Sequence, residues 1–508
     1  MFIHPRELSQ IQAHITKTIK PNFINTLLRT LTLSKTPQKV LPIYNLMLLS
    51  PSHHDHFTFT FALKACTFLT SSLIQKGREV HAYALKSGHH SDLFVQNALL
   101  AFYSATFDPD ACRTVFSETS SPDVVSWTSL VSAFAKNGFP AEALLAFASM
   151  DVDPNEMTLV SALSACSRLK DGNLGKILHG ICVRRFGGHG RNVILDNALL
   201  DVCLNCGAFT DAVQLFNVMP HRDVVSVTTM ICGYVQHGKY EEAIAIFVEL
   251  VRGGEIVPNE LTVACVLGAC ASAGILRLGK CVHSYSLRSG IDVDGIVGNA
   301  LIHMYSKCGS IGVALWIFGG LLCRDLVSWC TIIKGMATNG KPKHALQLFA
   351  LMLCYGVQPD NVAFLAVMTA CCHAGLIEEG LMFFRAMREV YGVLPEKEHF
   401  TCIIDAYGRA SCLKEAEDFF LGMPMMPDKC VWGALVSACK IHGAGEVVYE
   451  RIQKRALHAG MTLGGGTYAL LSNMLANAEK WDESNNARKQ LRTKRISKLA
   501  GYSWTELA

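Results

Sequence analysis

Asp123-Val-Val-Ser-Trp returns as Asp223-Val-Val-Ser-Val and again as Asp325-Leu-Val-Ser-Trp, at spacings of 100 and 102 residues. A second phrase keeps the same interval: Asn-Ala-Leu begins at Asn97, Asn197 and Asn299, again 100 and 102 residues apart. A third ends in Ala-Cys at Cys66, Cys166, Cys270 and Cys371, spaced by 100, 104 and 101 residues. Three phrases with different text thus alternate inside a superperiod of about a hundred residues, which makes the elementary unit roughly 35 residues long. That length belongs to solenoids of helical hairpins, in which each unit touches only its neighbours.

The repeats give meaning to an unusual composition. The chain has 508 residues, 50% of them apolar and 17% charged, with 20 cysteines and a net charge of +4. Such apolar content excludes intrinsic disorder. A mean hydropathy of +0.26 raises the question of a membrane, but an apolar run such as Val313 to Leu322 is half of the ~20 residues a spanning helix needs. The cysteines are too dilute for a small secreted disulfide scaffold, and no secretory signal is read at the start, so most are expected to be buried reduced thiols.

Each unit reads as two amphipathic helices. Between Val224 and Asn259, Met230, Ile231 and Tyr234 mark one apolar face, Gly238 breaks the chain, and Ala243, Ile244, Ile246, Phe247 and Leu250 mark the next. Pro258 closes the unit. A small residue such as Ala243 lets the helices approach closely. One hairpin cannot bury its own apolar face, so stacking is obligatory, and the hydrophobicity is explained without a membrane.

Period and text together resemble the plant pentatricopeptide repeat family, in its form with alternating standard, long and short repeats and an E-type extension. The phrases that carry the resemblance are Asp123-Val-Val-Ser-Trp-Thr-Ser-Leu-Val, Asn299-Ala-Leu-Ile-His-Met-Tyr-Ser-Lys-Cys-Gly and His373-Ala-Gly-Leu-Ile-Glu-Glu-Gly. The resemblance implies an all-α fold, a right-handed α-solenoid superhelix of stacked hairpins. Laid on this chain it gives twelve units: 21–55, 56–92, 93–123, 124–155, 156–192, 193–223, 224–259, 260–294, 295–325, 326–360, 361–396 and 397–428. Unit 124–155 is short by three residues after Met150, and 156–192 is slightly long around Gly187. Residues 1–20, with Gln12-Ala-His-Ile-Thr-Lys, read as a degraded repeat or a transit peptide. Residues 429–508, with Trp432-Gly-Ala-Leu-Val-Ser-Ala-Cys, Tyr468-Ala-Leu-Leu-Ser-Asn and Gly501-Tyr-Ser-Trp, resemble the extension, which implies two further hairpins.

Motifs for catalysis are missing from the text. The fullest relatives carry a deaminase-like domain whose zinc site needs His-x-Glu and a downstream Cys-x-x-Cys. No His-x-Glu occurs here, and the one Cys-x-x-Cys, Cys203 and Cys206, falls where a first helix ends, the slot of Cys308. That pair and Cys371-Cys372-His373 are read as repeat packing. Neither a Walker loop nor a dinucleotide fingerprint is present. The expectation is a chain without catalytic residues, metal or cofactor, acting as a monomer.

What remains is a groove formed by the first helices, along which single-stranded RNA can run one base per repeat. In the family an aliphatic second residue wedges between bases, which points to Val125, Ile194, Val225, Ile296 and Val327. The fifth and last residues read the base edge. By resemblance Asn25/Asp55, Asn97/Asp123, Asn197/Asp223 and Asn299/Asp325 read uridine, with cytidine second; an asparagine amide offers a donor and an acceptor that an aspartate can orient. Thr128/Asn155 and Thr228/Asn259 resemble adenine readers, and Thr401/Asp428 a guanine reader. Long repeats place Thr60, Val160, Ala264 and Leu365 at the fifth position, where three of the four cannot bond a base. Every Asn and Asp here also has a plainer role as a helix cap. The argument for readout is that the fifth residue varies, Asn or Thr, inside nearly constant text.

A pI of 8.2 is below the strongly basic footprint of a phosphate-driven binder, so affinity is expected to lean on stacking and base contacts. A basic stretch, Arg488, Lys489, Arg492, Lys494, Arg495 and Lys498, either approaches the RNA backbone or is a solvated helix face. The resemblance implies a site-recognition factor for C-to-U editing of organellar transcripts, with partners in single-stranded RNA, a DYW-type cytidine deaminase in trans and multiple-organellar-RNA-editing-factor proteins. The implied element is U-n-U-A-n-U-A-n-U-n-n-G, then three bases and the edited cytidine. A splicing, stability or translation factor and a protein-binding scaffold are the alternatives. Arg6, Lys17 and Lys20 against Glu7 in the first 20 residues suit an organelle, the mitochondrion ahead of the chloroplast.

Overall fold

A computed structural model describes residues 21–33, 39–47, 55–68, 70–187, 192–441, 472, 476 and 481–493. Among the described residues there are 26 α-helices and no strand. The chain forms two compact units, residues 1–233 and 234–508.

In the first unit the helices that open the hairpins are Pro21–Leu33, His56–Phe68, Leu93–Ala105, Val124–Lys136, Glu156–Leu169 and Val193–Asn205. Between them lie the returning helices Val40–Met47, Thr70–Lys86, Pro109–Ser117, Pro140–Ala148, Gly172–Phe186 and Phe209–Val218. From His56–Phe68 onward, opening helices pack on one another in sequence, and most returning helices bridge two of them, so the unit is two layers thick. The second unit repeats the scheme, with opening helices Glu260–Ala273, Gly295–Lys307, Leu326–Thr338, Asn361–Ala374, Lys397–Arg409 and Lys429–Ile441. Of residues 429–508, expected to form an extension of two hairpins, helices Lys429–Ile441 and Trp481–Thr493 are described, while most of 442–480 and all of 494–508, like residues 1–20, lie outside the described residues.

Opening helices are covered on several sides, and their text reflects it. In His56–Phe68 the residues Phe59, Ala62, Leu63, Ala65 and Cys66 are all buried, and Glu156–Leu169 buries Leu159, Ala162, Leu163, Ala165 and Cys166. Each fully buried Leu or Phe contributes about 1.5–3 kcal/mol, so the apolar text of the opening helices is accounted for by the core. Among the described residues no helix is long and apolar enough to cross a membrane. Cysteines of the Ala-Cys phrase sit in this core. Burial pushes the Cys66 thiol up to about 11 and those of Cys166, Cys270 and Cys371 up to about 12, so they are neutral at physiological pH.

Glycine sets how closely the layers approach. A Cβ on Gly77 would lie 2.2 Å from the buried Phe102 ring, one on Gly279 2.4 Å from Met304 Sδ, and one on Gly175 3.0 Å from Val202 Cγ1. All three stand on returning helices and face the next opening helix, in the recurring text Gly-x-x-x-His of Gly77/His81, Gly175/His179 and Gly279/His283. Gly238 has the left-handed φ of +72° that the hairpin turn requires.

Two glycine substitutions separate packing from propensity. Gly180, also within a helix, has nothing within 4 Å of its would-be Cβ, so Gly180→Ala is expected to be neutral or stabilising by up to about 1 kcal/mol. Gly77→Ala gains the same helix preference but forces the Phe102 ring aside, and overpacking of about 1–3 kcal/mol wins. Chemical denaturation of both variants checks the difference in sign.

Candidate nucleic-acid interface

The last residue of a repeat begins the next opening helix. Asp123 has extended backbone, and its Oδ1 accepts the N–H of Ser126 at 2.8 Å, while the Ser126 hydroxyl returns a contact to the Asp123 N–H. This is a capping box, and it satisfies two helix-end donors at once. The same Asp123 oxygen accepts Nδ2 of Asn97, the fifth residue of the preceding opening helix, at 3.3 Å. Ser126 Oγ donates to Asn97 Oδ1 at 2.7 Å and lies 2.9 Å from Asp123 Oδ1, closing a three-residue ring.

A hundred residues later the ring is rebuilt: Asn197 Nδ2 to Asp223 Oδ1 is 3.1 Å, Ser226 Oγ to Asn197 Oδ1 is 2.6 Å, and Ser226 N to Asp223 Oδ1 is 2.8 Å. In the third copy Asn299 Nδ2 reaches Asp325 Oδ1 at 3.4 Å, but Ser328 Oγ turns to the Asp325 carbonyl at 2.8 Å, and Asn299 Oδ1 is buried without a partner. An amide has two N–H donors and two lone pairs. The closed ring of Asn97 uses one of each and leaves one of each for a ligand. Burial works to raise Asp123 and Asp223, yet the serine N–H and hydroxyl, the asparagine amide and the N–H of Val125 or Val225 outweigh it and hold both carboxylates below their ordinary value. A depressed carboxylate stabilises above its unfolded pKa, so the ring is intact at neutral pH and opens only as acid titrates it.

The remaining pairs are arranged differently. Thr128 Oγ1 meets the Val124 carbonyl and Thr158 Oγ1, each at 2.6 Å, and Thr158 in turn contacts Asn155 Oδ1 at 2.9 Å through its hydroxyl, so Thr128 and Asn155 communicate through a third residue. Thr228 Oγ1 bonds the Val224 carbonyl at 2.6 Å, and Asn259 caps its own helix through Thr262 N at 2.9 Å. Thr401 Oγ1 bonds the Lys397 carbonyl at 2.8 Å, while Asp428 Oδ1 accepts the N–H groups of Cys430 and Val431 at 2.9 and 3.0 Å. Asp55 caps through Thr58 N at 3.0 Å; the Asn25 side chain lies outside the described residues. In long repeats Thr60 is buried, its hydroxyl on the His56 carbonyl at 2.8 Å.

All five residues expected to stack on bases are on the surface: Val125 is 48% exposed, Ile194 48%, Val225 50%, Ile296 60% and Val327 56%. The same slot exposes Phe57, Phe94, Met157, Leu261 and Val362, which sequence reasoning left out. Their common signal was the register itself, second place after each cap. The Phe57 and Phe94 rings are 6.2 Å apart. A further unread pair is Cys330 and Asp360, fifth and last of unit 326–360, with Sγ 3.8 Å from Oδ1. Cys203 is buried and Cys206 half-buried; burial raises both thiols, Cys203 to about 11. Cys372 bonds Asp405 at 3.3 Å and His373 the Ala337 carbonyl at 3.1 Å. Among the described residues no group of three or more His, Cys, Asp or Glu is placed to hold a metal. Of the basic stretch, Arg488 contacts Ser472 Oγ at 2.8 Å, whereas Lys494, Arg495, Lys498 and the Arg492 side chain lie outside the described residues.

Comparison with known proteins identifies this pattern. The PPR repeat family model matches residues 222–272 and 324–373, and the PPR repeat model matches 125–153, 197–224, 299–326, 362–390 and 398–426. The Arabidopsis thaliana pentatricopeptide repeat-containing protein At4g38010 is 34% identical over 504 residues, 98% of this chain and 89% of the relative. The chain belongs to the PPR repeat family. A second Arabidopsis thaliana relative, the putative pentatricopeptide repeat-containing protein At3g05240, is 35% identical over 95% of this chain and 86% of its own length. Among solved structures, the maize PPR protein PPR10 aligns with a TM-score of 0.53 at 17% identity, over 94% of this chain and 74% of that one. PPR10 in complex with an 18-nt psaJ RNA element aligns at 0.55 and 16% identity, over 97% and 77%. The likeness shows the shared PPR fold.

The cap within the ring is open to a stability test. Asp123→Ala removes both the cap and the asparagine's partner and is expected to cost about 1 kcal/mol or somewhat more, whereas Asp123→Asn keeps a good cap and costs less than half as much. Urea unfolding of the two variants distinguishes them, and equal losses would contradict the cap.

Proposed function

We propose that the chain binds single-stranded RNA sequence-specifically and serves as a site-recognition factor for C-to-U editing of organellar transcripts, with a DYW-type cytidine deaminase and multiple-organellar-RNA-editing-factor proteins acting in trans. The observation that carries the RNA part is the Asn-Asp-Ser ring standing next to an exposed apolar side chain at one register, in Asn97/Asp123/Val125 and again in Asn197/Asp223/Val225. A stacked base needs an apolar face and a hydrogen-bonding edge partner, and the aspartate that holds the asparagine amide stands two residues before the exposed valine. PPR10, a fold relative, is known in complex with RNA. The editing part is supported by the extension-like text after residue 428, and the organellar part by relatives such as At3g26782 and At1g06140, both named mitochondrial. The mitochondrion is the preferred compartment.

Gel-shift titration against U-n-U-A-n-U-A-n-U-n-n-G and against a version with U and A exchanged tests the readout. Tighter binding to the first, by about tenfold or more for several mismatched positions at once, is expected. Equal affinity would remove sequence-specific recognition. Organellar cDNA from a plant lacking the protein then tests the process: loss of one C-to-U edit is expected, and intact editing with altered splicing or transcript ends would favour an occupancy factor instead.

A further inference from the structure

Two thiols from consecutive opening helices meet in the second unit. Cys372 stands in the last turn of Asn361–Ala374 and is 5% exposed, and its Sγ contacts Asp405 Oδ2 of Lys397–Arg409 at 3.3 Å. Asp405 lies three residues after Cys402, so the two share a face of that helix, and the Cys372 and Cys402 thiols hydrogen-bond to one another. Arg409 Nε pairs with the same Asp405 oxygen at 2.8 Å, which brings a cation to this face one turn further along. Cys402 is half-buried whereas Cys372 is buried, so solvent reaches Cys402 first.

Packing alone accounts for other neighbouring thiols of the chain. A Cβ on Gly175 would lie 3.5 Å from Cys206 Sγ and 3.9 Å from Cys166 Sγ, and burial raises both thiols, Cys166 to about 12, so both stay protonated. The pair at Cys402 is asymmetric instead. The bond from Cys372 and the Arg409 charge outweigh burial and hold Cys402 below its ordinary value, while that same bond, then burial and Asp405, push Cys372 up. One sulfur is disposed to ionise and its neighbour to keep a proton. Since the thiolate is the nucleophile of thiol–disulfide exchange, the accessible member of the pair is the one prepared to attack and the buried member the one placed to resolve.

We propose that Cys402 and Cys372 form a thiol–disulfide modification site whose co-reactant is a low-molecular-weight disulfide such as oxidised glutathione. The Cys402 thiolate, its proton released to solvent, attacks one glutathione sulfur; a mixed disulfide forms, and the first glutathione leaves as a thiolate that takes up a proton. Cys372 then gives its proton to solvent and attacks Cys402 Sγ, so the Cys372–Cys402 bond forms, the mixed disulfide breaks, and the second glutathione leaves and is protonated. The two protein thiols together lose a pair of electrons, and the oxidised glutathione is reduced to its thiols. Thr401, adjoining Cys402, is the fifth residue of unit 397–428. A bond of about 2.05 Å in place of a thiol contact draws Lys397–Arg409 toward the preceding helix beside that residue and takes Cys372 from Asp405. On the RNA-binding reading, on which this consequence rests, oxidation weakens discrimination at the twelfth nucleotide of the element, the base assigned to Thr401/Asp428.

The test equilibrates the reduced full chain with mixtures of oxidised and reduced glutathione, alkylates the remaining thiols and reads proteolytic peptides by mass spectrometry. The expected product is a peptide cross-linked through Cys372 and Cys402, formed where the exposed Cys281 and Cys354 carry glutathione without cross-linking. Cys372→Ser is expected to trap glutathione on Cys402, and Cys402→Ser to leave Cys372 unmodified. Absence of the linked peptide from the unmodified chain once Cys281 and Cys354 are fully modified would overturn the site, whatever the variants do. Gel-shift titration then compares guanine with adenine at the twelfth nucleotide: the cross-linked chain is expected to discriminate about tenfold less than the reduced chain, and Cys402→Ser to be insensitive to the oxidant. A cross-linked chain with unchanged discrimination would overturn the coupling to Thr401. Failure of the reduced chain to bind RNA would defeat the functional reading, while the linked peptide would still uphold the modification site.

Discussion

The structure depends on one carboxylate oxygen used twice. Asp123 Oδ1 caps the helix it precedes and also holds the amide of Asn97 from the preceding repeat, and Asp223 does the same for Asn197. Because the cap and the amide contact share an atom, the fifth residue of one repeat is fixed relative to the first turn of the next. A helix-end requirement that every hairpin must meet thereby orients a side chain with unspent hydrogen-bonding capacity. Capping and the proposed base recognition are consequently not rivals for these residues; the cap fixes the side chain that the proposal assigns to the base.

The hairpin order was legible because its punctuation is chemical. Asp or Asn before an apolar helix is a cap, Gly238 a left-handed turn, and the hundred-residue beat of Ala-Cys a fully buried core position. Pairing of Asn97 with Asp123 was legible too, since two residues 26 apart recurred together. The part played by Ser126 was not, although it stands third after the aspartate in each copy, because a serine in a helix start has many uses and only geometry shows it closing the ring. Phe57, Phe94, Met157, Leu261 and Val362 escaped for another reason. In a chain that is 50% apolar, an exposed platform and a core side chain look alike in text, and only burial tells them apart.

Low net charge now has a more specific meaning. A chain of +4 cannot hold a polyanion by its overall field, and the aspartates that cap its helices add negative charge along the very surface proposed for RNA. Their depressed titration keeps them ionised, so they orient asparagines and repel phosphates at once. On the proposed reading, such a surface favours a strand that turns its bases toward the protein.

The central claim is that the residues on either side of a repeat boundary choose the base. The most direct measurement exchanges one boundary pair for another: Asn97→Thr with Asp123→Asn recreates, in unit 93–123, the residue types of Thr128 and Asn155. Affinities for four RNAs that differ only at the third nucleotide of the element are then compared in the parent and double-variant proteins. The account requires preference at that nucleotide to move from uridine to adenine, with preferences at the other positions unchanged. A folded double variant that still prefers uridine there, or shows no preference in either protein, would contradict it.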